Sequence, residues 1–294
     1  MPISESPQAI ISRGETLLAD GRLVEASEAF AEALRLRPRD SAAWRGLGKA
    51  QLDLGDQSAA KASFAQALAI VPYDRYAAHM LASLSGEADK GATGYVADLF
   101  DTYADSFDTH LTSTLQYRIP QAIRSLLADR APFATVLDLG CGTGLVGVAL
   151  GDLVAAIDGI DIAPRMVRKA HERGIYRHLR TGDMLDSLAA DPALRGPYDV
   201  IAAADVFVYV GALEPIFAAV RAILAARGLF VFSVETAPGD GVALRSNGRF
   251  AHATAYVERL AEAHGLDILA RQQHPIRHER DQPIAGELFL LARN

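Results

Sequence analysis

Small and apolar residues recur every 34 positions through the first 85 residues: Gly14 and Gly48, Gly21 and Gly55, Ala26 and Ala60, Phe30 and Phe64, Ala33 and Ala67, Leu34 and Leu68, Pro38 and Pro72. A period of this length fits two helices and their turns, and the matches have packing reasons. Gly14 and Gly48, beside Leu17 and Leu47, let paired helices approach closely, and Ala26 and Ala60 do the same on the second helix. Phe30 and Phe64 fill the gap between successive units, while Pro38 and Pro72 end each unit because proline cannot continue a helix. Ser6 before Pro7 reads as the first helix N-cap. A half unit over 74–85, with Leu81 and Ala82 at the expected spacing, ends the array. Two and a half units stand at the edge of independent stability, so the array is expected to lean on the rest of the chain.

The pattern then changes. A polar, Gly-rich run over 86–94 (GEADKGATG) reads as a linker, so the expected division is a helical domain over 1–86, a linker over 87–94 and a second domain over 95–294. In the second domain short apolar runs predict strands at 135–139, 155–160, a third closing at 181–184, then 199–204, 229–235, 266–272 and 287–291. Helical segments separate the earlier ones, which predicts an α/β, doubly wound and mostly parallel sheet. The last two strands have no helix between them and should pair antiparallel at one edge.

The first of these strands runs into Gly140-Cys141-Gly142-Thr143-Gly144. Glycines permit a tight turn and let a ligand approach the backbone with no Cβ in the way. A bare G-x-G-x-G is common, and nicotinamide enzymes use one too, but three acidic residues add to it. Asp138 makes the motif D-x-G-x-G-x-G; a carboxylate there repels a pyrophosphate and can hold an ammonium through water or backbone amides. Asp161 ends the second strand, 17 residues after Gly144, where an acid accepts both hydrogen bonds of a ribose diol. Asp183 comes after the third strand, where it can accept from an adenine amino group, with Ile162, Met166 and Met184 apolar enough to sandwich the ring. Taken singly, Asp161 is also a fair helix N-cap before Pro164, and Asp183 a turn residue.

Composition narrows the class. Of 294 residues 22% are charged, with a net charge of −7, which argues against a general nucleic-acid grip. One cysteine, Cys141, forbids an intramolecular disulfide, and the start MPISESPQ lacks a signal pattern, so a cytoplasmic protein is expected. No run approaches the roughly 18 apolar residues of a membrane span. The histidines lack cysteine partners and ligand spacing, so no metal site is expected.

The repeats, with Trp44, Leu47 and Gly48 in the second copy, resemble the tetratricopeptide repeat, although Ile10 and Arg13 stand in the first copy where Trp and Leu are usual. Such arrays bind peptides in the groove lined by the first helix of each unit. There Arg45 and Lys49 could meet an acidic partner, form a solvated basic pair, or touch the second domain. From about residue 95 onward the chain resembles the class I S-adenosylmethionine-dependent methyltransferases, whose Rossmann-like seven-stranded sheet ends in an antiparallel hairpin. The whole chain, with 99–111 (LFDTYADSFDTHL) and Leu115-Gln116-Tyr117-Arg118, resembles the bacterial tetratricopeptide-repeat methyltransferases. The resemblance implies S-adenosylmethionine as cofactor, held by Asp138, Gly140, Gly142, Asp161 and Asp183, with Tyr103, Cys141, Gly144, Ile162, Met166, Met184 and Ala204 beside them. It implies methyl transfer to a small-molecule or protein acceptor that it does not name.

Geometry narrows the acceptor side, because ligands of such sheets sit at the carboxyl ends of the parallel strands. That collects Asp205 and Tyr209 after the fourth strand, Glu235 after the fifth, the loop 236–253 with Arg245, Arg249 and His252, and the exit of the sixth strand with His274 and Arg277. The segment with Tyr103, Phe107, His110 and Tyr117 is expected to fold over the cofactor as a lid; simple helix packing explains Tyr103 and Phe107 equally well. His110 and His252 are the candidate proton acceptors, with Tyr103 and Asp205 beside them as candidate catalytic groups. His171, His178 and His264 fall on helical or surface stretches and have no expected catalytic role. Two other readings stand beside this one: a non-catalytic adaptor built on a relic fold, and a nicotinamide oxidoreductase. Asp138 and the terminal hairpin argue against the latter.

Overall fold

The computed structural model describes residues 5–85, 90–279 and 282–294. Two compact units emerge, one reaching to Tyr95 and including Leu244–Arg249, the other comprising Val96–Ala243 and Phe250–Asn294.

The first unit is helical: α1 (Pro7–Ala19), α2 (Leu23–Leu36), α3 (Ser41–Asp53), α4 (Gln57–Ile70) and α5 (Arg75–Ser85). Ser6 caps α1, its Oγ accepting from the Ala9 N–H at 3.2 Å. Helices α3, α4 and α5 are capped by a device the proline spacing did not reveal. Asp40, Asp56 and Asp74 each accept from the backbone N–H three residues on, at 3.1, 2.9 and 3.0 Å. The expected packing is present. Phe30 and Phe64 are fully buried, and a Cβ on Gly14 would stand 2.9 Å from the Phe30 ring, one on Gly48 2.9 Å from the Phe64 ring. The basic pair is engaged inside the unit: Arg45 lies 3.3 Å from Asp74, and Lys49 Nζ lies 4.7 Å from the centre of the Tyr76 ring. Burial pulls the Lys49 ammonium below its ordinary pKa, with neighbouring Arg45 adding to the effect.

The linker expectation needs correction. Helix α6 spans Lys90–Tyr103, so residues 90–94 are helical, while 86–89 lie outside the described residues. The two glycines there cost helix propensity without forbidding a helix.

The second unit is a seven-stranded sheet. Its strands are β1 (Phe133–Leu139), β2 (Val154–Asp161), β3 (His178–Thr181), β4 (Tyr198–Ala203) and β5 (Leu224–Glu235), followed by the short β6 (Val242–Leu244) and β7 (Phe250–His252), then β8 (Leu266–Gln273), the short β9 (His278–Glu279) and β10 (Gln282–Pro283), and β11 (Gly286–Arg293). The order across the sheet is β3-β2-β1-β4-β5-β11-β8, and β6 with β7 and β9 with β10 form separate two-stranded pairs. The five strands from β3 to β5 pair in parallel. β11 is antiparallel to both β5 and β8, so β8 points the same way as the first five, as the sequence predicts. Helices cover both faces: α7 (Phe107–Thr109, running into a π-helical turn at His110–Thr114), α8 (Ile119–Leu127), α9 (Leu145–Leu150), α10 (Pro164–Glu172), α11 (Met184–Ala190), α12 (Glu214–Ile223) and α13 (Thr254–Ala263). One face packs Phe217, Phe230, Phe232 and Phe289, the other Val136, Val200, Val231 and Leu290. Both faces of the central strands are therefore buried, and ligands are left the carboxyl ends. Among the described residues no helix is long and apolar enough to cross a membrane.

Candidate functional site

The glycine turn after β1 is built by positive φ angles: +68° at Gly140, +54° at Gly142 and +94° at Gly144. These are values that residues with a Cβ rarely adopt. At Gly140 a Cβ would also meet Val206 Cγ2 at 2.4 Å. The loop is tied to β2 twice: the Cys141 N–H donates to the Ile160 carbonyl at 2.9 Å, and the Gly142 N–H donates to Asp161 Oδ2 at 2.8 Å. Asp161 Oδ1 accepts from the Ala163 N–H at 2.8 Å, so this carboxylate braces the loop and the turn into α10 together. It is not the N-cap of α10, a position held by Ala163.

Asp138 is fully buried beneath the loop. Its Oδ2 accepts from the Tyr176 hydroxyl at 2.7 Å, while Oδ1 has no protein partner. Burial pushes its pKa up to about 7, against the Tyr176 hydrogen bond, and nearby Asp161 adds to the rise. Burial likewise raises Asp161 to about 6, opposed by the amides of Ala163 and Gly142. Both values lie above the ordinary 3.8, so the folded chain retains protons that the unfolded chain has released. The stability these groups lend at low pH is therefore lost as pH rises through about 6 to 7. In urea melts of the ligand-free protein between about pH 5 and pH 8, Asp138→Asn is expected to decline less than the parent, by on the order of 1–3 kcal/mol. Parallel declines would show that Asp138 does not carry this proton.

Asp183 caps α11, accepting from the N–H groups of Leu185 at 2.8 Å and Asp186 at 3.1 Å. Met184 and Ile162 are partly buried, and Ala204 packs against the sheet after β4. Met166 is fully buried with Ala104 and Ala163, under Phe100 and Phe107.

Those two aromatics belong to the predicted lid. Phe107 Cε1 lies 3.8 Å from where a Gly142 Cβ would be, which places the ring over the glycine loop. Phe100 packs edge-on against Phe107 and Tyr209, at 5.8 and 5.3 Å between ring centres. Tyr103 packs on Phe107, and its hydroxyl is hydrogen-bonded to His110 Nδ1. This segment is fastened by charges absent from the candidate residues. Asp101, Asp105 and Asp108 face Arg165, Lys169 and Arg173 of α10 and its cap. Arg165 N–H donates to Asp101 Oδ1 at 2.8 Å, Lys169 lies 3.3 Å from Asp105, and Arg173 pairs with Asp108. Asp108 also accepts from the Thr143 hydroxyl in the glycine loop. The four-residue spacing of 165, 169 and 173 was the available signal, since it puts three cations on one helix face.

At the ends of β4 and β5 the structure gathers Asp205, Glu235 and Arg277. Arg277 is 2% exposed; its Nη1 donates to both Asp205 oxygens at 2.9 and 3.0 Å, its Nη2 to Glu235, and its Nε to Glu279 at 2.8 Å. Asp205 adopts φ +56°, and its N–H donates to Ser233 Oγ at 2.9 Å. Tyr117 is buried close by, its hydroxyl pushed above its ordinary pKa by burial and by Asp205 and Asp138. Arg277 therefore serves the protein's own carboxylates.

Other candidates fall elsewhere. His252 is fully buried, with Nε2 donating to the carbonyls of Val210 and Gly211 at 3.0 and 3.1 Å, and burial lowers its pKa. It ties β7 to the turn after β4 and is placed as a structural histidine. His274 Nδ1 donates to the Pro275 carbonyl at 2.7 Å in an exposed turn. Arg249 belongs to the helical unit, with Arg245, and not to the unit that holds the strand ends.

Residues 137–230 match a family model described as a methyltransferase domain, and residues 17–84 one described as a tetratricopeptide repeat. A malonyl-[acyl-carrier protein] O-methyltransferase from Geobacter sulfurreducens is 33% identical over 152 residues, covering 50% of this chain and 54% of that protein. A magnesium-protoporphyrin O-methyltransferase from Rhodobacter capsulatus is 37% identical over 91 residues, covering 29% and 38%. The chain thus spans about half or less of the curated relatives it matches. Among solved structures, the magnesium protoporphyrin IX methyltransferase of Synechocystis PCC 6803, crystallised with S-adenosylmethionine, aligns at a TM-score of 0.53 with 19% identity, over 71% of this chain and all of that one.

Proposed function

Because the chain joins tetratricopeptide repeats to a methyltransferase domain of class I fold, we propose that it transfers a methyl group from S-adenosylmethionine to an oxygen of an acceptor. The observation that carries the cofactor is the glycine turn over a buried, half-satisfied Asp138, with Asp161 braced beside it. The residues present fit that cofactor. Asp138 Oδ1, a buried acceptor with no protein partner, would take the ammonium directly or through water, Asp161 would accept from the ribose diol, and Asp183 with Ile162 and Met184 would border the adenine. S-adenosylmethionine supplies a methyl group already activated by the sulfonium, so the chain mainly aligns the partners and removes a proton. The aromatic lid excludes water and offers ring faces to a cation. The names of the relatives, all O-methyltransferases, support an oxygen acceptor.

Proton removal falls to Tyr103 and His110. The Tyr103 O–H donates to His110 Nδ1; as the acceptor hydroxyl gives its proton to the tyrosine oxygen, the tyrosine proton passes to the imidazole, leaving imidazolium. His252 instead spends its Nε2 on two backbone carbonyls.

Calorimetric titration is expected to show S-adenosylmethionine binding and no NADH binding; the reverse result overturns the proposal. With labelled donor and cell extract as the acceptor source, His110→Ala is expected to slow transfer roughly 10²–10⁴-fold while leaving donor affinity within a few-fold. Unchanged transfer would remove His110 from the reaction.

A further inference from the structure

The helical unit contains a segment that arrives from far along the chain. Leu244–Arg249, which links β6 to β7, is counted with the repeats in the same compact unit. It lies against the face made by α3 and α5, where Arg45, Lys49 and Asp53 recur at four-residue spacing and Tyr76 and His79 stand opposite.

The contacts are specific. The Tyr76 hydroxyl donates to the Ser246 carbonyl at 2.5 Å, His79 Nε2 to the Gly248 carbonyl at 2.7 Å, and the Ser246 hydroxyl to Asp53 Oδ2 at 2.6 Å. Leu244 packs on the cluster of Leu52, Phe64 and Met80. The segment is itself a closed turn: the Gly248 N–H donates to the Arg245 carbonyl at 2.9 Å, the Arg245 N–H to the Arg249 carbonyl at 2.8 Å, and the Arg249 N–H to Asn247 Oδ1 at 3.0 Å. Gly248 sits at φ +82°, and a Cβ there would stand 3.3 Å from the His79 ring. Two of the three polar bonds to the turn reach backbone carbonyls, with one apolar anchor beside them. That is the chemistry by which a protein face recognises a peptide.

We propose that the face formed by α3 and α5 is a peptide-binding face whose occupant is the chain's own Leu244–Arg249 turn, so that an outside peptide engages it only by displacing that turn. The basic pair is not its recognition element, since Arg45 is committed to Asp74 and Lys49 to Tyr76. The repeats thus read the backbone of the turn, with a small residue at its tip and an aliphatic anchor before it. This inference does not depend on the methyl-transfer reading.

Trypsin tests it on the full chain. Cleavage after Arg245 and Arg249, located by mass spectrometry, is expected to be about tenfold faster in Tyr76→Phe/Ser246→Ala than in the parent, because two hydrogen bonds holding the turn are gone. Tyr76→Phe keeps the ring against Phe64, so the helices remain packed. Tyr73→Phe, at a side chain far out in solvent, is expected to change nothing. Equal cleavage in the double variant and the parent overturns the proposal. A second measurement uses a labelled synthetic peptide of residues 242–252. It is expected to bind full-length Gly248→Val, whose own turn is strained away, about tenfold more tightly than the parent. Equal affinity for both chains, or binding to neither, overturns it.

Discussion

Asp161→Ala is expected to weaken S-adenosylmethionine binding about a hundredfold in calorimetric titration. Two losses combine. The carboxylate would bind the ribose diol, and hydrogen bonds to a charged group are each worth about 1.5–3 kcal/mol. It also holds the Gly142 and Ala163 amides at 2.8 Å, so its removal frees the loop that must meet the ligand. Asp161→Asn separates the two effects, since the amide oxygen can brace one backbone N–H but not accept from both a diol and the loop. Its affinity is expected between the parent and the alanine variant. Alanine binding as tightly as the parent would remove Asp161 from the cofactor site.

Arg277→Met is expected to lower the melting temperature by on the order of 10 °C. Removing one partner of a buried ion pair leaves uncompensated charge and typically costs about 3–5 kcal/mol. Here Asp205, Glu235 and Glu279 all converge on the one guanidinium. Arg277→Lys restores the charge without the forked donors and is expected to recover only part of the loss. The contrast is Arg124→Met, whose partner Asp152 is largely solvated; water screens that pair, and its loss is expected to leave the melting temperature nearly unchanged. Melting of Arg277→Met at the parent temperature would mean the network does not hold the strand ends together.

How much was legible in the sequence depends on how local each signal is. The turn over 140–144 and the two acids at strand ends lie within a few residues of the elements that place them, and the structure puts them together. The antiparallel end of the sheet was readable because no helical segment separates the last two strands. The Arg277 cluster was not, because its members are brought together from β4, β5 and the exit of β8 by the sheet order alone. Arg277 was therefore expected to meet a substrate, and it meets carboxylates of its own chain. His252 sits in a three-residue strand, too short to show a period, and its burial is set by carbonyls some forty residues earlier. The placement of Arg249 in the helical unit left no trace in composition either. The three acids of the lid and the three bases of α10 were visible as stripes, but only the fold shows that they face each other.

The cysteine count gives the glycine loop an unplanned use as a reporter. Cys141 is the sole thiol of the chain and stands inside that loop, 5% exposed, with burial and the neighbouring acids Asp161 and Asp138 holding it in the unreactive thiol form. A thiol-directed dye can therefore mark only one place, and only when the loop is uncovered. Its labelling rate becomes a clock for the uncovering of that loop, readable with no acceptor, no label transfer and no substitution.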